Sequence, residues 1–298
     1  MTAPPSPDAV LDNGTVQVRV PTAYGPRITH YGFAGGVNVL GDGAGVERET
    51  PRGVWRARGG HRLWAAPEVF PDTYTLDDEP PRIERGERTV VVRGPRDATT
   101  GLTKSFSVEL APHGTDVIVR HTIANDGDVR RTLAPWGITV ARTGGTAVIP
   151  NPHYAPQPDA LLPARTMAVW RYTNFADGRF TFGESFVRLR CDPACGEPNK
   201  IGVACERGWF AYLVDGVAFV LRADYEPNGT YPDQGCSVEV YTQGPFCEIE
   251  TLAPLRTVRP GEAAEHVERW SLIPDVVPSD DASLAKQLSE HVAERGAG

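Results

Sequence analysis

The chain has 298 residues, enough for one large all-β domain or two ordinary ones with a full core. Hydrophobic residues make up 40% and charged residues 23%, the balance of a water-soluble globular fold, and the formal charge is −8. The 30 lysines and arginines are scattered among 38 acids, which argues against nucleic acid and anionic membranes as partners and leaves a small neutral molecule. The opening MTAPPSPDAV holds no apolar run of signal-peptide length, and no window approaches a transmembrane helix, so a cytoplasmic location is expected.

In chain order, short runs rich in Val, Ile, Thr and aromatics recur between dispersed glycines and prolines, the signature of strands. TVQVRV (15–20), TVVVR (89–93), KSFSVEL (104–110) and DVIVRHTI (116–123) all alternate apolar with polar. In FAYLVDGVAFVLR (210–222), Asp215-Gly216 between apolar arms predicts a two-residue type I′ hairpin, because both central residues must take φ > 0. SVEVYTQ (237–243), CEIET (247–251) and HVERWSLI (266–273) follow. A dozen or more strands with no convincing helix between them predict antiparallel sheets, packed face to face or closed. The one good helix is C-terminal: Leu284, Leu288, His291 and Val292 fall on one face behind the capping residues Ser279-Asp280-Asp281. The simplest organisation is one domain over residues 1–278, followed by a helix or tail over 279–298. Five cysteines, an odd number clustered at 191–247, fit reduced thiols, and CDPAC with Cys205 matches no standard zinc spacing, so no metal is expected.

Period-2 geometry sorts the late strands into faces. Val238, Val240 and Thr242 point one way, and Glu239, Tyr241 and Gln243 the other. Cys247, Ile249 and Thr251 take the apolar side, and Glu248 and Glu250 the polar one. Such a polar face is either solvated or lines a cleft. The proline-broken LAPL that follows places the acids at a rim, where burial can raise a carboxylate toward the working pH of a general base. GGHRLWAAPE (59–68) is the second candidate. His61 suits proton donation at neutral pH, Arg62 can hold oxygens through its fork, and Trp64 offers a face for a sugar ring. The competing reading is a buried turn in which Leu63 and Trp64 pack inward and Arg62 pairs with Glu68. His153, beside Asn151 and Tyr154, could rim a pocket. His121 and His30 read as structural, His113 and His291 as exposed, and His266 as the start of the last strand. No nucleophile-elbow, phosphate-loop or dinucleotide motif occurs, and no cofactor is expected.

Several segments, taken in order, resemble the galactose mutarotase-like (aldose 1-epimerase) superfamily. YGPRITHYGFAGGVNVLGD (24–42) is similar to its N-terminal strands, and IANDGDVRRTLAPWGITV (123–140) to its strand, Asn-rich turn and next strand. FCEIETLAPL (246–255) is similar to the segment carrying the catalytic glutamate, and VRPGEAAEHVERWSL (258–272) to the closing strands. GGHRLWAAPE looks like the early segment of an uncharacterised branch. The likeness spans residues 13–273. It implies an all-β supersandwich of large antiparallel sheets with a short C-terminal helix, and a sugar site on a concave face. In that superfamily a glutamate deprotonates the anomeric hydroxyl while a histidine protonates the ring oxygen. The resemblance points to Glu250 as the base, with Glu248 the alternative, and His61 as the acid. Arg62, Trp64, Glu68, Glu248, His153, Trp136 and Tyr241 are the expected substrate contacts. Superfamily members usually carry a histidine near the strand reading LAPWGITV (133–140). None stands there, so the acid role falls to His61 or His153, or the fold is kept without the reaction. The alternatives are a non-catalytic sugar- or metabolite-binding protein, and a glycosidase or lyase pairing Glu68 with Glu250.

Overall fold

The computed structural model describes residues 8–276 and 280–294. The first strands are β1 (Ala9–Asp12), β2 (Val16–Val20), β3 (His30–Phe33), β4 (Glu47–Thr50), β5 (Gly53–Arg56) and β6 (His61–Ala66). Next come β7 (Arg82–Arg85), β8 (Thr89–Arg96), β9 (Leu102–Leu110), β10 (Val117–Asn125) and β11 (Arg131–Val140). β12 (Thr146–Pro150), β13 (Met167–Val169), β14 (Phe180–Phe182), β15 (Phe186–Arg190), β16 (Asn199–Val203), β17 (Trp209–Val214) and β18 (Val217–Ala223) follow. The chain closes with β19 (Val238–Gln243), β20 (Phe246–Leu252), β21 (Arg256–Val258), β22 (Ala263–Ile273) and α1 (Asp281–Glu294).

Two large antiparallel sheets dominate. One has ten strands in the order β14-β15-β12-β17-β18-β22-β10-β9-β8-β7; the other runs β13-β16-β19-β20-β11-β21, with β6 added against β11. A three-stranded sheet, β1-β2-β3, and the β4-β5 hairpin complete the strands. The alternation in the sequence decides what lies between the sheets. Val92, Phe106, Val119, Phe219 and Trp270 of the ten-stranded sheet share one core with Ile201, Val203, Val240, Cys247 and Ile249 of the other. Tyr31, Phe219 and Trp270 meet there at ring-centroid distances of 5.4–5.6 Å, and such aromatic pairs add about 0.5–1.5 kcal/mol each beyond area burial. At the β17–β18 turn, Asp215 (φ 48°) and Gly216 (φ 77°) are both left-handed, as the Asp-Gly hairpin requires.

The C-terminal helix forms as its periodicity predicts. Leu284 and Leu288 are buried against Val148, Phe186, Trp209 and Ala211, on the outer face of the ten-stranded sheet. Asp280 caps it by accepting the Ser283 N–H at 3.0 Å, and the Asp281 carboxylate accepts the Ser185 N–H at 2.6 Å; Ser279 lies outside the described residues. His266 sits inside β22 and is buried, rather than opening that strand, because β22 begins three residues earlier. Among the described residues no helix is long and apolar enough to cross a membrane.

Candidate active site

The outward face of the seven-stranded sheet forms the floor of a cleft of about 530 Å³. The centre of GGHRLWAAPE is here a strand and not a turn. Residues 61–66 are β6, paired antiparallel with β11, so neighbouring side chains go to opposite faces. Arg62 and Trp64 enter the cleft, whereas His61 and Leu63 point between the sheets. The same rule delivers Trp136 and Ile138 from β11, Glu248 and Glu250 from β20, and Tyr241 and Gln243 from β19. Glu68, just beyond β6, also lines the cleft.

The expectation that His61 and Glu250 act as an acid–base pair in one cleft is not met by the geometry. His61 is fully buried on the far side of the sheet, where its Nδ1 lies 2.8 Å from Thr139 Oγ1 and its Nε2 3.1 Å from His121 Nε2. Burial pushes its imidazole down to about 3, against a smaller upward pull from Glu268. His153 is exposed and lies outside the residues that line the cleft. The single-residue phase of a strand explains the miss at His61, since the residue next to a cleft-facing Arg62 must face away.

The cleft instead centres on a lysine that no motif singled out. Lys200 of β16 places Nζ 3.0 Å from Glu250 Oε2 and 2.6 Å from Glu239 Oε2. Its ammonium stands 4.5 Å from the Trp170 ring centroid and 5.2 Å from that of Trp136, both within cation–π range. Trp136 Nε1 donates to Glu250 Oε2 at 2.9 Å, so that oxygen is anchored from two sides. Burial alone would lower Lys200, but the charges of Glu250 and Glu239 outweigh it and hold the ammonium well above its ordinary value. Burial raises Glu239, which is 0% exposed, well above the carboxylate range, with Lys200 opposing. The sequence signal for Lys200 was the alternation of NKIGV (199–203): with Ile201 and Val203 in the core, Lys200 has to face the cleft.

Around this centre, Arg62 donates from Nη2 to Glu248 Oε1 at 2.6 Å, not to Glu68. Burial raises Glu248, and Arg62 pulls it back. The Arg62 guanidinium lies 4.6 Å from the Trp64 centroid and 5.5 Å from that of Trp55. Arg48 donates to the Tyr74 hydroxyl at 2.6 Å, and Tyr74 in turn donates to Glu68. Arg48, Trp55, Tyr74, Trp170 and Tyr172 come from a hairpin and loops without periodic signal, so only the folded chain brings them to the cleft. Aromatic walls over a floor of carboxylates and one ammonium can stack an apolar sugar face, bind hydroxyls and move protons.

No protein-family model matches the chain, and no curated protein matches it. Solved structures do. The Slr1438 protein from Synechocystis sp. PCC 6803 is 11% identical with a TM-score of 0.57, covering 93% of this chain and 99% of that one. A galactose mutarotase-like protein from Lactobacillus casei is 10% identical with a TM-score of 0.55, covering 90% and 100%. A galactose mutarotase related enzyme from Lactobacillus acidophilus is 9% identical with a TM-score of 0.55, covering 91% and 98%. Identities this low speak to architecture alone, and with two large antiparallel sheets and a short C-terminal helix, this chain has the galactose mutarotase-like fold.

Proposed function

We propose that the cleft binds a sugar and interconverts its anomers by acid–base chemistry; anomer interconversion is the activity that the name mutarotase denotes in its structural neighbours. The observation that carries this reading is the Lys200–Glu250–Trp136 cluster on the floor of an aromatic-walled cleft. In this mechanism Glu250 removes the anomeric hydroxyl proton, with Glu248 as the alternative base. As that oxygen becomes a carbonyl, the C1–ring oxygen bond breaks and its electron pair moves to the ring oxygen. Lys200 gives the ring oxygen a proton and recovers one from Glu250 across their 3.0 Å hydrogen bond. Rotation about the C1–C2 bond and reversal of these steps close the other anomer. Arg62, Trp64, Glu68, Trp136 and Tyr241 hold the ring, and neither His61 nor His153 takes part.

Exchange spectroscopy by NMR across a panel of aldoses tests this proposal. Anomer exchange faster than buffer for at least one sugar, lost in both Glu250→Gln and Lys200→Met, is expected. No acceleration for any sugar would overturn it. One observation favours a second reading, binding without turnover: no histidine lines the cleft among the described residues. Calorimetric sugar binding that survives Glu250→Gln, with no exchange in the unsubstituted protein, would select that reading.

A further inference from the structure

Behind the cleft floor, three side chains that the cleft does not use converge in the core between the sheets. They are His61 of β6, His121 of β10 and Glu268 of β22, all fully buried. His61 Nε2 and His121 Nε2 are 3.1 Å apart, and each lies 3.7 Å from Glu268 Oε2. The point equidistant from these three atoms is about 2.0 Å from each, which matches zinc–imidazole and zinc–carboxylate bond lengths of roughly 2.0–2.2 Å. We propose that His61, His121 and Glu268 bind one divalent metal ion of the zinc class and so clamp the two large sheets together.

The surroundings support a ligand role. Donation from His61 Nδ1–H to Thr139 Oγ1, 2.8 Å away, would leave the Nε2 lone pair facing the ion, the usual way a ligating imidazole is oriented. The Glu268 carboxylate is held by Trp270 Nε1–H at 2.8 Å on Oε2 and by the Thr251 hydroxyl on Oε1. Its only ion-pair contacts among the described residues are the two histidines, so without an ion a fully buried carboxylate would face no lysine or arginine. His266 is not a fourth ligand; its Nε2 contacts Thr251 Oγ1 at 2.7 Å. His121 Nδ1 has no hydrogen-bond partner among the described residues. The competing arrangement is a single proton shared between the two Nε2 atoms. His61 and His121 are 60 residues apart in the chain, which is why no zinc spacing marks them in the sequence.

The full chain, produced without a polyhistidine tag in zinc-supplemented cells and gel-filtered, is assayed for metals by plasma mass spectrometry and for ligands by X-ray absorption at the zinc edge. About one zinc per chain, with only nitrogen and oxygen neighbours near 2.0–2.1 Å, is the expected result. Less than about a tenth of an ion per chain in folded protein would overturn the site in favour of the shared proton. Sulfur neighbours would overturn it in favour of cysteine binding, and so would Glu268→Gln retaining the same zinc content. Because the first two readings use the unsubstituted protein, they decide the matter even if Glu268→Gln fails to fold.

Discussion

Replacing Lys200 with methionine would strip the only ammonium from a site holding two carboxylates that are 0% and 1% exposed, Glu239 and Glu250. Removing one partner of such a buried pair costs about 3–5 kcal/mol, because the remaining charge is left uncompensated in a low-dielectric site. At roughly 2.1 cal/mol/K of unfolding entropy per residue, a loss of about 4 kcal/mol lowers Tm by about 6 °C for a chain of this size. Glu239→Gln removes one excess carboxylate, so Lys200→Met in that background should cost far less, with a coupling of about 2 kcal/mol in the double-mutant cycle. The pH dependence has a definite sign. Glu239 is already raised by burial, and losing Lys200 raises it further, so the folded state keeps a proton that the unfolded chain releases above its ordinary carboxylate value. Stability of Lys200→Met should therefore be greatest in mild acid and fall as pH rises toward 8, by up to about 1.4 kcal/mol per pH unit. Denaturation of the four proteins, monitored by circular dichroism at pH 5 and pH 8, measures both quantities. A loss below about 1 kcal/mol at pH 8, or additivity within about 0.5 kcal/mol, would refute the buried ion-pair account.

Three further perturbations separate the parts of the molecule. Gly137→Ala puts a Cβ within clash distance of Glu268 Oε1 and 3.1 Å from Thr251 Oγ1, so a loss of about 1–3 kcal/mol is expected; unchanged Tm would refute this close packing of β11 on β22. Leu288→Ala empties a fully buried position under α1 and should cost about 2–5 kcal/mol, read by urea denaturation, while the proposed sugar binding at the cleft on the other sheet stays intact. Arg62→Met leaves Glu248 without its 2.6 Å partner and should weaken sugar binding at least tenfold by calorimetry, equivalent to about 1.4 kcal/mol; unaltered affinity would remove Arg62 from the substrate contacts.

Seven of the nine residues expected at the site line one cleft, and the two exceptions have different causes. Glu248, Glu250 and Tyr241 are legible because strand alternation fixes faces from sequence alone, whereas Trp136 follows only from the family resemblance. His61 was misplaced although it sits beside Arg62, because composition and chemical suitability carry no phase information until the pairing of β6 with β11 sets which residue faces out. His153 was misplaced because a proline-bounded loop has no periodicity to read. Lys200 went unnoticed as a lone cation in a five-residue strand, and its role depends on meeting Glu239 and Glu250 from two other strands.

By itself the sequence determined the local terms: the strands, the Asp-Gly hairpin, the amphipathic C-terminal helix, and which residues of each strand share a face. These follow from steric and hydrophobic rules that act within a few residues. The tertiary structure alone decided strand order, which face of the seven-stranded sheet became the cleft, and which distant side chains meet. Those outcomes depend on pairing between segments far apart in the chain: Trp136 reaches Glu250 across 114 residues and Arg62 reaches Glu248 across 186. No local pattern encodes such contacts, because only burial of both sheet faces at once selects one pairing over the others.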